Sequence, residues 1–516
     1  MSTPSSPPSA STTVDGIDSV EESESTRIER LGRQRPEKLT SVWQEIGFVF
    51  SIVMSQALTE YFFSGITILI PTIATDLGIP PQRVTWPVGA FSLVISAFLL
   101  PFGRLADIHG GKWVYVLGIA WTCVWALITG FAKNEYMLDI CRAVQALGAA
   151  AYLPSGLMLL GSTYRPGPRK NVIFAIYGAM AAFGFFVGLL FAGISGQYTG
   201  WRWYCYIGSI LSLIIALVSI VSIPNDRKEH VANDDIQMDW WGSAAIICGL
   251  ILFVYAITDS AHSPQGWRTW YILVTFFLGI ALLGIAFYIE GWVVEQPLIP
   301  FEALNIKYVP PFILGLLFCF GVLGVYILYA TLYIRNVIGI GPFQLVAWYA
   351  PLGIGGCILA TIGGFIFHLI DGSILMLISG FASIIAPLLF ALRPENGGYW
   401  PWVFPAMLCA TIAIDLLFTV ATIFFSTTLP SRHQGFAGAL TNVLLQLGIA
   451  LLLGVADVVS TNTRYQGEKQ SYKNAFWFEL ACAAAGLAIF MGFVRIDKAK
   501  SDKTADEKAA EKRRER

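Results

Sequence analysis

Fourteen long apolar stretches take up most of this chain, and they constrain its fold more than any other feature. They cover approximately residues 46–73, 86–102, 113–132, 136–161, 172–194, 203–223, 241–258, 270–292, 309–334, 344–370, 374–392, 402–425, 437–460 and 475–494. A helix needs about 20 mainly apolar residues to cross the hydrocarbon core of a bilayer. No water reaches the backbone there, so each stretch must satisfy its own N–H and C=O groups as a helix. The chain is therefore predicted to be an all-α integral membrane protein. Only 13% of its residues are charged, against roughly 25% in soluble domains. Those charges gather in loops and tails.

The two ends differ from the rest. Residues 1–45 are rich in Ser, Thr, Pro and Glu and contain no apolar core, so they predict a disordered tail rather than a signal peptide. Residues 495–516 alternate acid and base and predict a second solvated tail. The Lys and Arg residues of the loops divide evenly between the two faces. The tails break the tie, because 27–38 and 495–516 are both basic. An even number of spans puts both tails on one side, and the positive-inside rule makes that side the cytosol. Tryptophans near the ends of runs, such as Trp43, Trp86, Trp113 and Trp270, fit an interfacial belt.

Several chemistries are excluded at this level. Net charge is −1, which offers no basic surface for nucleic acid. The eight cysteines lie in or beside apolar runs without a C-x-x-C pair, so neither a metal site nor disulfides are expected. There is no phosphate-cradling Gly-rich loop with its Lys and no acid–base–nucleophile set. No cofactor, metal or catalytic residue is expected, and the chain is not read as an enzyme.

Four groups of residues stand out inside or between the runs. Gly103, Arg104, Asp107, Gly110 and Lys112 form a short polar segment that makes the second and third runs antiparallel neighbours. Arg142 and Gln145 lie three apart on one helix face of the fourth run, which Asp139 also shares. A charge inside a span is costly unless paired or hydrated, so such residues are functional candidates. Gly184-x-x-x-Gly188 puts two small residues on one face of the fifth run, where another helix can approach closely. Glu60 and Asp415 lie near the middle of the first and twelfth runs, and Asp457 toward the end of the thirteenth. A carboxyl group withdrawn from water can take up and release a proton near neutral pH. Glu479, close to the start of the last run, is expected to reach water.

These segments resemble the motifs of the major facilitator superfamily. Gly103, Leu105, Ala106, Asp107, Gly110 and Lys112 match its pattern Gly-x-Leu-Ala-Asp-Arg-x-Gly-Arg-Lys, with Ile108 and Gly111 replacing the two arginines. The run from Arg142 through Gln145 to Gly148 is similar to the fourth-helix motif. Gly184 and Gly188 remain from the exporter motif of the fifth helix, in which Phe185 replaces proline. Gly364 to His368 resembles a worn repeat of the first motif. Trp201-Arg202-Trp203, Asp239-Trp-Trp-Gly242 and Gly266-Trp267 look like the fourteen-span drug:proton antiporter branch.

The resemblance implies two six-helix halves, at 46–223 and 309–494, joined by a linker at 224–308 that carries two extra helices. It implies a cytoplasmic gate at Gly103, Asp107, Gly110 and Lys112. Glu60, Arg142 and Asp415 become proton-coupling candidates. Tyr61, Phe62, Gln145, Tyr326, Tyr329 and Phe418 become candidates for lining the substrate cavity, and Gly184 and Gly188 for helix packing. The expected function is export of small amphipathic compounds by proton antiport, from the plasma membrane, by a monomer whose partners are its small-molecule substrate, protons and the lipid bilayer. A proton-coupled carrier of a small polar solute, working in either direction, and a non-transporting membrane sensor stay open beside it.

Overall fold

The structure is a computed structural model that describes residues 34–165, 168–225, 237–366, 370–429 and 434–496. The described residues form no strand. Fourteen helices are long and apolar enough to cross a membrane. We number them α1 (Val42–Leu77), α2 (Trp86–His109), α3 (Gly111–Thr129), α4 (Glu135–Thr163), α5 (Pro168–Ile194), α6 (Arg202–Ser222), α7 (Trp240–Ser260), α8 (Trp270–Tyr288), α9 (Val309–Leu332), α10 (Pro342–Ile366), α11 (Gly372–Leu392), α12 (Phe404–Thr428), α13 (Gln434–Thr463) and α14 (Glu468–Phe493). We call the face where α1 begins and α14 finishes the near end, and the opposite face the far end.

Three boundaries differ from the sequence expectation, each for a local reason. Helix α1 starts at Val42, inside the stretch assigned to the tail, because the Ser41 hydroxyl accepts the N–H of Trp43 as an N-cap. Helix α14 starts at Glu468, where Gly467 at φ +100° breaks the chain, so its first turns are polar but helical. The third difference is at the polar segment after the second run. It is not a loop through Gly103–Lys112: α2 continues to His109, and Gly110 alone separates it from α3. Gly110 sits at φ +89°, a conformation that side chains with a Cβ rarely adopt. His368 lies outside the described residues.

Packing repeats with an offset of eight helices. In the first half α1 packs on α5 and α6, and α4 on α2 and α3, while α3 also meets α6. In the second half α9 packs on α13 and α14, and α12 on α10 and α11, while α11 also meets α14. Two seams join the halves, α2 against α13 and α5 against α10. Helices α7 and α8 pair with each other, and α7 also packs on α2 and α13. Close approach depends on small residues. A Cβ on Gly184 would strike the α1 backbone at Ala57, and one on Gly188 would meet Tyr61 and Ser64. Ser64 uses that proximity to donate to the Phe185 carbonyl at 2.9 Å.

Candidate functional site

The two mid-membrane acids lie in opposite halves, Glu60 in the first and Asp415 in the second. Glu60 on α1 and Asp415 on α12 are close enough for their charges to interact. Both are half-buried, so accessible space borders each side chain. Asp415 Oδ2 has no hydrogen-bond partner and lies against Gly356 of α10 and near Ala182 of α5. Glu60 likewise has no ion-pair partner among the described residues. Tyrosines from the first half stand around it. Tyr152 of α4 shares a 2.8 Å hydrogen bond with Thr59, and Tyr177 of α5 donates to Gln56 Oε1 at 2.9 Å. Reading the sequence missed Gln56, Tyr152 and Tyr177. Tyr152 did carry a signal, because it follows Arg142, Gln145 and Ala149 at helical spacing on one face of α4.

Arg142 is held entirely within the first half. It is 1% exposed. Its guanidinium donates to the Pro87 carbonyl at 3.3 Å, to Gln145 Oε1 at 2.8 Å and to the Phe62 carbonyl at 3.0 Å. It also lies 4.1 Å from the Phe91 ring centroid. The helix face shared with Asp139 does not become a salt bridge. Asp139 instead lies near Glu135 and Arg83, at the start of α4. A planar group with five donors suits this setting, because carbonyls and a ring face can satisfy it without a carboxylate.

The aromatic candidates lie inside their own halves rather than between them. Tyr61 stacks on Tyr204 of α6 at 4.5 Å and donates to the Tyr204 carbonyl at 2.9 Å. Phe62 packs against Gly208 of α6. Tyr326 meets Phe390 of α11 and Met407 of α12. Tyr329 meets Tyr472 of α14, and half-buried Phe418 meets Phe320 of α9. Tyr61, Phe62, Tyr326 and Tyr329 are each at most 2% exposed in this conformation. An apolar run does not reveal which face of a doubly buried helix turns to the other half. Glu479 departs from the expectation that it reaches water. It is completely enclosed, both carboxyl oxygens lack partners, and it lies about three turns into α14 because that helix starts at Glu468.

At the near end, Arg104 reaches the linker. It donates to the Gln237 carbonyl at 3.2 Å and to Gln296 Oε1 at 2.7 Å. Gly103 packs on Pro154 and Gly111 on Met158 and Leu159, both from α4. Lys112 lies over the Trp113 ring, 5.8 Å from its centroid. At the far end, Gly193 and Gly196 of the α5 end pack on Val346 and Pro342 of α10.

An all-helical bundle of fourteen candidate spans, built from a repeated packing unit with unpaired acids at its centre, defines a multi-pass membrane transporter. The family model of the Major Facilitator Superfamily matches residues 52–453, and the chain belongs to that family. It is a transporter and not an enzyme. It is 30% identical to the low affinity ammonium transporter of Saccharomyces cerevisiae, over 92% of this chain and 93% of that one. It is 28% identical to the efflux pump terJ of Aspergillus terreus, over 90% of both chains. Its fold is similar to a crystal structure of the peptide transporter POT, with a TM-score of 0.59, 15% identity and 86% and 93% coverage of the two chains.

Proposed function

We propose that this protein exports small amphipathic compounds by proton antiport, with Glu60 and Asp415 as the proton-carrying pair. The observation that carries this reading is the placement of two half-buried carboxyl groups, without ion-pair partners among the described residues, on helices of opposite halves. Such groups exchange their proton with whatever enters between them. A cationic or polar substrate group that displaces the proton couples export to proton return. Arg142 ties α1, α2 and α4 together within the first half, which carries Glu60. The near end is then the cytosolic face, the plasma membrane the site of action, and Gly103, Asp107, Gly110 and Lys112 the inner gate. The efflux-pump relative supports export as the direction.

Proteoliposomes loaded with a cationic fluorescent dye test the reading under an imposed pH gradient. Dye should move against the proton flow, and Glu60→Gln or Asp415→Asn should reduce gradient-driven flux at least tenfold. Full pH-dependent flux in both variants refutes the assignment. The ammonium-transporter relative favours a second reading, a carrier for a small polar cation. Gradient-driven movement of radiolabelled methylammonium, without dye transport, would select it.

A further inference from the structure

A buried three-residue cluster at the far end connects all three parts of the fold. Asp457 lies near the end of α13, in the second half. Its Oδ2 accepts a hydrogen bond from Thr85 Oγ1 at 3.0 Å. Thr85 is the residue immediately before α2, in the first half. The same oxygen accepts from His262 Nε2 at 2.7 Å. His262 lies in the loop between the two linker helices, and its backbone N–H is fixed to the Asp259 carbonyl at the end of α7. The His262 and Asp457 side chains are 5% and 4% exposed. The other ring nitrogen, His262 Nδ1, has no hydrogen-bond partner, so the ring's polar tie runs through Asp457.

Below the cluster, α7 lies along the seam between the halves. Val254 of α7 packs with Leu93 of α2 and Ala450 of α13. A small cavity lined by Thr85, Gly89, Thr258 and Gly454 sits directly beside the cluster. A polar group withdrawn from water loses free energy when its partner leaves. Separating α2 from α13 at the far end therefore breaks the Thr85–Asp457 bond, and the His262–Asp457 bond as well when α7 stays with α2.

The geometry points to a latch: the α7–α8 loop straps the far end of the α2–α13 seam shut through His262, Asp457 and Thr85. This gives the two extra helices a task in the transport cycle, as a brake on opening to the far side. The inference rests on the alternating-access reading for its meaning, but its test requires no substrate.

Spin labels at Lys133→Cys and Tyr465→Cys, in a chain with the eight native cysteines replaced, report the far-end distance between the halves. Both positions lie in far-end loops. The full-length protein is measured in lipid nanodiscs by double electron–electron resonance. His262→Leu and Asp457→Leu, which remove the donor and the acceptor, should each raise the far-open to far-closed ratio about tenfold, the size expected for losing a hydrogen bond to a charged group. Thr85→Val should raise it in the same direction. A second pair within the first half, Lys133→Cys with Tyr198→Cys, should keep its distance. Unchanged distributions in His262→Leu and Asp457→Leu overturn the latch. So does a change that alters the within-half pair equally, because that reports damage to the bundle. Failure of dye flux with an intact distance response would refute the transport reading and leave the latch standing.

Discussion

Replacing Arg142 by lysine keeps the charge and removes the geometry. Arginine satisfies three acceptors on three different helices: the Pro87 carbonyl of α2, the Phe62 carbonyl of α1 and Gln145 Oε1 of α4. It also presents its flat face to Phe91. A lysine ammonium lacks the planar fork that meets all three at once, so the extra bonds to the two helix carbonyls or to Gln145 are lost. Each hydrogen bond to a charged group contributes about 1.5–3 kcal/mol, and a desolvated cation–π contact adds up to about 2 kcal/mol. Relaxation recovers part of this, so the expected loss for Arg142→Lys is about 3–5 kcal/mol. Sodium dodecyl sulfate titration of protein in mixed micelles, followed by tryptophan fluorescence, reads the change. A double-mutant cycle with Phe91→Leu should return a coupling of about 1–2 kcal/mol for the ring contact. If Arg142→Lys unfolds within about 1 kcal/mol of the parent, the account of Arg142 as a three-helix tie is wrong.

Other outcomes follow from the same packing. Gly188→Val pushes a branched side chain into Tyr61 and Ser64 of α1, and should cost about 1–3 kcal/mol in the same titration. Gly178→Ala, which faces open space within the same helix, should instead be neutral or stabilise by about 0.5–1 kcal/mol. Glu479→Gln breaks no hydrogen bond or ion pair, so its unfolding should match the parent, whereas Glu479→Lys should prevent accumulation of folded protein in the membrane. At the far surface, Lys469 donates to Glu395 at 2.7 Å and holds that carboxylate below its ordinary range. A lowered carboxylate contributes above its unfolded pKa and loses that contribution as pH falls through its folded value. Because Glu395 is fully solvated, Glu395→Gln should leave the unfolding midpoint at pH 7 unchanged, and a measurable shift would show that the pair is more shielded than it looks.

The sequence revealed the spans because bilayer solvation acts on one residue after another, and an apolar run shows it directly. It was less informative where helix and apolarity part company. Residues 42–45, 103–109 and the first turns of α14 carry polar or charged residues yet are helical. The pairing of Arg142 with Gln145 was readable, because three residues along a helix fix a shared face. Its contacts with Pro87, Phe62 and Phe91 were not, because they depend on how three helices cross. Glu60 and Asp415 each stood out as a charge in an apolar run, but no local pattern encodes their proximity. His262 gave no signal at all: a single histidine in a short loop is ordinary until Asp457 closes over it.

The unequal covering of the two seams has a consequence within the plane of the membrane. Helix α7 lies over the α2–α13 seam, whereas neither linker helix packs over the α5–α10 seam. Ile176 and Phe183 of α5, and Ile354 and Ile358 of α10, are exposed on that open flank. A compound dissolved in the bilayer therefore meets a carrier with a left and a right. On one flank it must pass a helix before it reaches the join, and on the other it meets the join directly. The join between the halves is covered by a helix on one flank and uncovered on the other, although the bundle itself repeats.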